Sequence, residues 1–349
     1  MGGHLPPALA RARRAILDSV GSPDPQRPPA FVLIGCSGGA DSLALAAAAA
    51  FLVGKQQLRA GAVIVDHGLQ SGSADVAETA ATQLRGLGLE PVLVRRVAPE
   101  GSSEADARRA RYAAFDQALA DTGASALLLG HTLDDQAEQV LLGLARGSGP
   151  RSLAGMPASR GPYLRPLLRL RRTDTEAICA HEGLEYWVDP SNADTSLLRN
   201  RVRHELLPLL EDSLGPGLSE ALARTAILAR RDADHLDAEA AEALARLRLP
   251  CRDPASVLLD LTLLRGLGQA LLGRVLRSAV VHCGAPAPGF ERVAALEQLV
   301  GDGRSAGPIQ LDGHARARRH RRGTHPETAR AVIAITGPGS APTPGLWQS

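Results

Sequence analysis

Ala30-Phe31-Val32-Leu33-Ile34-Gly35-Cys36-Ser37-Gly38-Gly39-Ala40-Asp41-Ser42 reads as a buried strand, a glycine turn and the first turn of a helix. The apolar run Ala30–Gly35 suits a strand covered on both faces, and Asp41–Val53 continues as an alanine-rich helical stretch. A glycine turn at such a junction presents backbone N–H groups and a helix N-terminus to an anion. Gly38 and Gly39 admit a close approach, and the Ser37 and Ser42 hydroxyls add donors. Asp41 would repel a bare phosphate, so its presence points to a Mg2+ ion between carboxylate and phosphates. The loop matches neither G-x-x-x-x-G-K-[ST] nor G-x-G-x-x-G.

The same alternation continues along the chain. Strands are expected over Arg59–Val65, Glu90–Val97 and Ala126–Leu129. Helices are expected over Ala74–Leu87, Ser103–Thr122 (capped by Ser102 or Ser103) and Thr132–Leu144. This order predicts an α/β fold with a doubly wound, mostly parallel sheet. Ligands bind at the carboxyl ends of the strands in such sheets. Three polar motifs fall there: Ser37–Ser42, Asp66-His67, and Gly130-His131 running on to Glu138. An amphipathic helix, Leu5–Val20, and a proline-rich linker occupy residues 1–29, ahead of a catalytic domain over 30–212. Helices at Leu218–Leu249, Leu258–His282 and Glu291–Val300 predict a smaller all-helical domain over 213–322, and 323–349 reads as a flexible tail.

Composition narrows the class. The 349 residues carry a formal net charge of +2, too little to establish a polyanionic partner by itself. Arginines cluster at Arg165–Arg172, Arg199–Arg203 and Arg316–Arg322, which suits phosphate backbones as well as solvated surface. Aromatic residues make up only 3%, so the core is expected to be Ala, Leu and Val. Cys36, Cys179, Cys251 and Cys283 are scattered, which argues against a disulfide framework or a cysteine zinc site. Cys36 reads as a small packing residue. With no secretory leader and no apolar stretch of membrane length, a soluble cytoplasmic protein is expected.

The loop S-G-G-x-D-S after an apolar strand resembles the PP-loop of N-type ATP pyrophosphatases, which transfer AMP and release pyrophosphate. Further segments resemble one branch of them, the tRNA(Ile)-lysidine synthetases. They are Glu104-x-x-Ala107-Arg108-x-x-Arg111-Tyr112, His131-x-x-Asp134-Asp135-x-x-Glu138, Arg146-Gly147-Ser148-Gly149 with Leu153-Ala154-Gly155-Met156, Arg165-Pro166-Leu167-Leu168, and Asp189-Pro190-Ser191-Asn192 with Arg199-Asn200-Arg201-Val202-Arg203. They stand in family order over about Val32 to Leu210. Gln139 stands where the family usually has Thr, and the short C-terminal half departs from its longer members.

The resemblance implies ligation of L-lysine to C2 of the wobble cytidine of the isoleucine tRNA with a CAU anticodon, using ATP and Mg2+. It implies ATP contacts at Ser37, Gly38, Gly39, Ala40, Asp41, Ser42, Asp66, His67 and Gly130, with Asp41 toward the metal. Asp41, Arg111, His131, Asp135 and Glu138 would carry the chemistry. Arg108, Arg111, Asp134, Asp135, Glu138, Arg199, Asn200 and Arg203 would meet lysine or tRNA. On a helix Asp135 and Glu138 share a face with His131, which suits holding an ammonium. Turn chemistry rivals the adenosine reading of Asp66-His67, and surface charge rivals the roles of Arg108 and Arg111. Trp187 and Tyr163 are candidates for base stacking, with core packing as the rival. Arg316–Arg322 would grip the tRNA backbone or form a solvated tail. The rival functions are a PP-loop tRNA thiolase or other adenylating tRNA-modifying enzyme, an amidotransferase-type synthetase, and a non-catalytic tRNA-binding protein. Assembly as a homodimer is left open.

Overall fold

The computed structural model describes residues 6–21, 26, 28–68, 72–98, 101, 103–147, 149–301 and 307–338. Ser102, Ser148, most of the proline-rich linker and the end of the chain from 339 lie outside the described residues. The chain divides into two compact units, residues 1–147 with 152–227, and residues 148–151 with 228–349.

The first unit contains α1 (Pro7–Val20), β1 (Phe31–Cys36), α2 (Ala40–Gly54), β2 (Arg59–Asp66), α3 (Ser73–Gly86), β3 (Val92–Arg96), α4 (Glu104–Thr122), β4 (Ala126–Leu129) and α5 (Leu133–Arg146). After the short α6 (Pro150–Leu153) come β5 (Ser159–Arg160), β6 (Tyr163–Leu164), α7 (Arg172–Glu182), α8 (Leu198–Arg201), a π-helical turn over Val202–Leu206, and α9 (Leu207–Leu214). The sheet runs β3-β2-β1-β4-β6-β5, parallel except for the β5–β6 edge. This is the expected doubly wound order. The strand order turns between β1 and β4, and β1 registers Gly35 against both Val63 and Leu129.

Burial explains the composition. α2 is buried over Ser42–Ala49 and again at Leu52, so it is covered almost all round. Only small side chains allow a helix to lie that close to its neighbours. Leu9, Ile16, Ile34, Leu45, Ile64, Leu84 and Leu167 join it in one core cluster. Leu33, Val63, Phe115, Leu127 and Tyr163 form a second cluster. Ser103 caps α4 through a reciprocal pair with Asp106.

The second unit holds most of α10 (Leu218–Leu247), then β7 (Arg248–Leu249), β8 (Ser256–Asp260), α11 (Leu261–Arg265), α12 (Gln269–His282), α13 (Phe290–Val300), β9 (Ile309–Gln310), β10 (Arg316–His320) and β11 (Val332–Thr336). Each of the three stretches expected to be helical contains helix, though Arg248–Leu249 at the end of the first is strand. These helices share the unit with a five-stranded sheet of order β7-β8-β11-β10-β9, antiparallel throughout. Helix was expected for the whole of Leu258–His282, but its first residues are strand. β11 lies inside the stretch assigned to a tail. The division between units falls at Ile227, later than the expected Ser213.

Candidate active site

Gly38 adopts φ +82°, the left-handed region that glycine occupies without strain. Its carbonyl accepts from Trp187 N–H at 2.9 Å, so the backbone of half-buried Trp187 pins the turn. Ser42 Oγ donates to Gly39 O at 2.9 Å and accepts from Ser37 N–H at 3.2 Å. Gly39 caps α2 with no side-chain acceptor on the first N–H groups. That leaves the positive helix end facing the turn. Cys36 is buried beneath it, its Sγ 3.4 Å from Ser42 Oγ, and burial pushes the thiol pKa up. This is a packing residue, as expected. Gly130 is needed at the end of β4: a Cβ there would lie 2.8 Å from the Asp41 carbonyl oxygen.

Asp41 accepts a short hydrogen bond from Thr175 Oγ1, and Arg172 Nε stands 3.6 Å from its other oxygen. Burial outweighs both and raises its pKa from 3.8 to about 6. A half-buried carboxylate short of positive charge suits a divalent cation. A single protein oxygen suits Mg2+, which keeps waters and phosphate oxygens as its other ligands. Among the described residues no group of three or more His, Cys, Asp or Glu is placed to form a protein-only metal cage.

α5 carries the second half of the site. Glu138 is fully buried and accepts from Arg203 Nε at 2.6 Å and Arg199 Nε at 2.7 Å. Asp135 Oδ2 accepts from Thr132 N–H at 2.8 Å, and its Oδ1 faces Arg199 at 3.1 Å, Arg203 at 3.4 Å and Arg172 at 3.5 Å. Burial opposes ionisation of Asp135, but Arg199, His131 and the Thr132 N–H outweigh it, and its pKa is lowered. The π-helical turn widens the backbone after α8 and brings both Arg199 and Arg203 onto Glu138. Such turns recur at functional sites. Three carboxylates thus meet three guanidiniums, and Arg172 joins the phosphate-turn end to the α5 end.

The remaining expected residues divide. Asp134 accepts from Arg172 N–H at 2.7 Å and so fixes the start of α7. Asn200 is buried and donates to Ser191 O and Asp194 O, tying the preceding loop. Asp66 accepts from Gly68 N–H, which lowers its pKa, as turn chemistry requires. His67 Nε2 accepts from Arg111 Nε at 3.2 Å. Arg108 lies over the Tyr112 ring. His131 is half-buried; burial drops its pKa to about 4, opposed by Asp135 and reinforced by Arg165, Arg199 and Arg108. Its Nδ1 has no hydrogen-bond partner among the described residues. Tyr163 belongs to the core and donates to Asp116. Arg172 and Thr175 were not anticipated. Arg172 stood inside a noted arginine cluster, but nothing local marked either residue.

The family described as PP-loop domain matches residues 11–210, and that described as TilS substrate binding domain matches residues 259–323. The tRNA(Ile)-lysidine synthase of Leifsonia xyli subsp. xyli (strain CTCB07) is 52% identical over 293 residues, 83% of this chain and 88% of that protein. That of Thermobifida fusca (strain YX) is 49% identical over 328 residues, 92% of this chain and 97% of that protein. The chain belongs to the tRNA(Ile)-lysidine synthase family. It is therefore an enzyme, a ligase of the kind that forms a carbon–nitrogen bond. The U34-tRNA thiolase NcsA from Methanococcus maripaludis, solved with its [4Fe-4S] cluster, aligns with a TM-score of 0.50 at 18% identity, covering 63% of this chain and 78% of that one. That likeness is one of fold. No helix among the described residues is long and apolar enough to cross a membrane.

Proposed function

We propose that this enzyme joins L-lysine to C2 of the wobble cytidine of the isoleucine tRNA with a CAU anticodon, through an adenylated tRNA. The supporting observation is the link, through Arg172, between a glycine turn with an uncapped helix end and a buried carboxylate pair on the neighbouring helix. In the first step the cytidine O2 attacks the α-phosphorus of ATP, the Pα–O–Pβ bond breaks and pyrophosphate leaves. The Ser37–Ser42 turn receives that pyrophosphate through backbone N–H groups and the helix end. Asp41 would hold Mg2+, which supplies charge neutralisation on the phosphates. In this scheme His67 and Arg111, joined by a hydrogen bond at the end of β2, contact the nucleoside. In the second step the lysine ε-amine attacks C2, the C2–O bond breaks, and AMP leaves with the oxygen.

Asp135 and Glu138 receive the lysine ammonium in this scheme. Their oxygens face Arg199 and Arg203 in the free protein. Lysine therefore replaces one buried cation by another, and the released guanidiniums turn to tRNA phosphate. Such an exchange avoids stranding a buried charge, which costs several kcal/mol. The second unit takes part in tRNA binding, with Arg316 and Arg318 on one side of β10 as contacts. The enzyme acts in the cytoplasm, where its tRNA is.

The test supplies the enzyme with ATP, labelled lysine and a panel of tRNA transcripts. Label entering the CAU isoleucine tRNA alone, with AMP and pyrophosphate released, is the expected result. Pyrophosphate release with no lysine in any tRNA would refute the substrate assignment.

A further inference from the structure

Arg165 follows β6, on the far side of β4 from the phosphate turn, and is 5% exposed. Its Nη1 donates to Pro157 O at 3.1 Å and its Nη2 to Tyr112 Oη at 3.4 Å. Both partners are neutral. Its Nε is buried with no hydrogen-bond partner among the described residues, and no carboxylate there lies within ion-pair distance of it. Buried guanidiniums are ordinarily paired, because an unpaired one costs several kcal/mol. Arg172, Arg199 and Arg203 show the ordinary case a short distance away.

The surroundings do not compensate it. Arg108 shares the Tyr112 hydroxyl, and His131 leaves its Nδ1 unpartnered. Asp135, which like Arg165 acts on His131, already faces three guanidiniums. A carbonyl and a phenol thus hold the fork in place without neutralising it. The side-on edge, Nε with Nη2, is the edge that binds a carboxylate in two-point fashion.

We infer that Arg165 is the receptor for the α-carboxylate of the amino-acid substrate. The assignment rests on the function proposed above and completes it. Asp135 and Glu138 take the ammonium end, and Arg165, one strand over from β4 at a spacing of about 4.8 Å, takes the acid end. Phosphate is the alternative oxyanion, but the phosphate turn belongs to β1, two strands from β6. Arg111, which the resemblance brings to lysine or tRNA, donates to His67.

The experiment compares lysine with cadaverine, which has the same reacting amine and no carboxylate, in the full enzyme and in Arg165→Gln and Arg165→Lys. The wild type should need roughly 10- to 100-fold more cadaverine than lysine for half-maximal transfer to tRNA. Arg165→Gln should raise the lysine KM by a similar factor and leave the cadaverine KM where it was. Arg165→Lys, which keeps the charge and loses the fork, should fall between. Formation of adenylated tRNA without any amine, and the KM for ATP and for tRNA, should not move.

A wild type that uses cadaverine as readily as lysine overturns the inference without recourse to any variant. So does a rise in the ATP or tRNA KM that matches the rise for lysine, which would reassign Arg165 to a phosphate. If the wild type adenylates tRNA but transfers no lysine, the function proposal falls and this one with it. Lysine transfer with unchanged discrimination in both variants refutes this inference alone.

Discussion

Asp41→Asn separates what this residue does for stability from what it does for chemistry. Burial lifts the carboxylate pKa from 3.8 to about 6, so the folded protein holds the proton more tightly than the unfolded chain. The native state gains from this below the unfolded pKa and loses the gain as pH rises through about 6. At pH 7.5 the charged side chain is therefore a liability. A shift of this size corresponds to about 3 kcal/mol. With a quarter of the side chain exposed, solvent reduces the effect, and about 2 kcal/mol is expected. Asparagine keeps an acceptor for Thr175 and carries no charge. Without ligands, Asp41→Asn should thus melt about 4–8 °C above the wild type at pH 7.5. The gap should narrow steadily toward pH 5, where the wild-type carboxylate is protonated. Urea titrations at the two pH values read the same difference, while pyrophosphate release at pH 7.5 should be abolished. A variant no more stable than the wild type at pH 7.5, or a gap that ignores pH, would refute the burial argument.

Glu138→Gln removes the nearer anion that Arg199 and Arg203 share, leaving both guanidiniums to Asp135 at 3.1 and 3.4 Å. A loss of about 3 kcal/mol is expected, read as a lower urea midpoint, together with loss of lysine transfer. Gly130→Ala pushes a methyl against the Asp41 carbonyl; about 1–3 kcal/mol of destabilisation is expected in urea titration, together with a raised ATP KM at a temperature where the variant is still folded. Gln136 donates to Met156 O at 2.8 Å and accepts from Met156 N–H at 2.6 Å, so Gln136→Ala should cost about 1–3 kcal/mol locally. Faster amide exchange confined to residues 153–157, at nearly unchanged global stability, would be its signature.

The first unit was legible because its signals are local. Each buried strand is a short apolar run, and each is followed by a polar motif where the fold places ligands. Asp135 and Glu138 share a helical face by spacing alone, and they do lie together. Arg172 and Thr175 were not legible. They reach Asp41 across more than 130 residues, and no periodicity reports such a contact. Asp134 and Asn200, expected to meet substrate, also hold backbone partners that the sequence did not announce. Leu258 and its neighbours suit helix and strand alike, so pairing with β11 decided the matter. Val332-Ile333-Ala334-Ile335-Thr336 carries a strand signal in its β-branched residues, obscured by the glycine and proline that follow.

β11 joins β8 to β10 in the middle of the second sheet, yet it is the last strand among the described residues. On the ribosome, β8 and β10 would emerge with nothing between them, and their apolar faces would wait for residues 332–336. A stop codon or frameshift ahead of Val332 would therefore remove a keystone rather than a fringe. Degradation of such a shortened product, rather than a subtle loss of tRNA affinity, is the phenotype to look for in a cell.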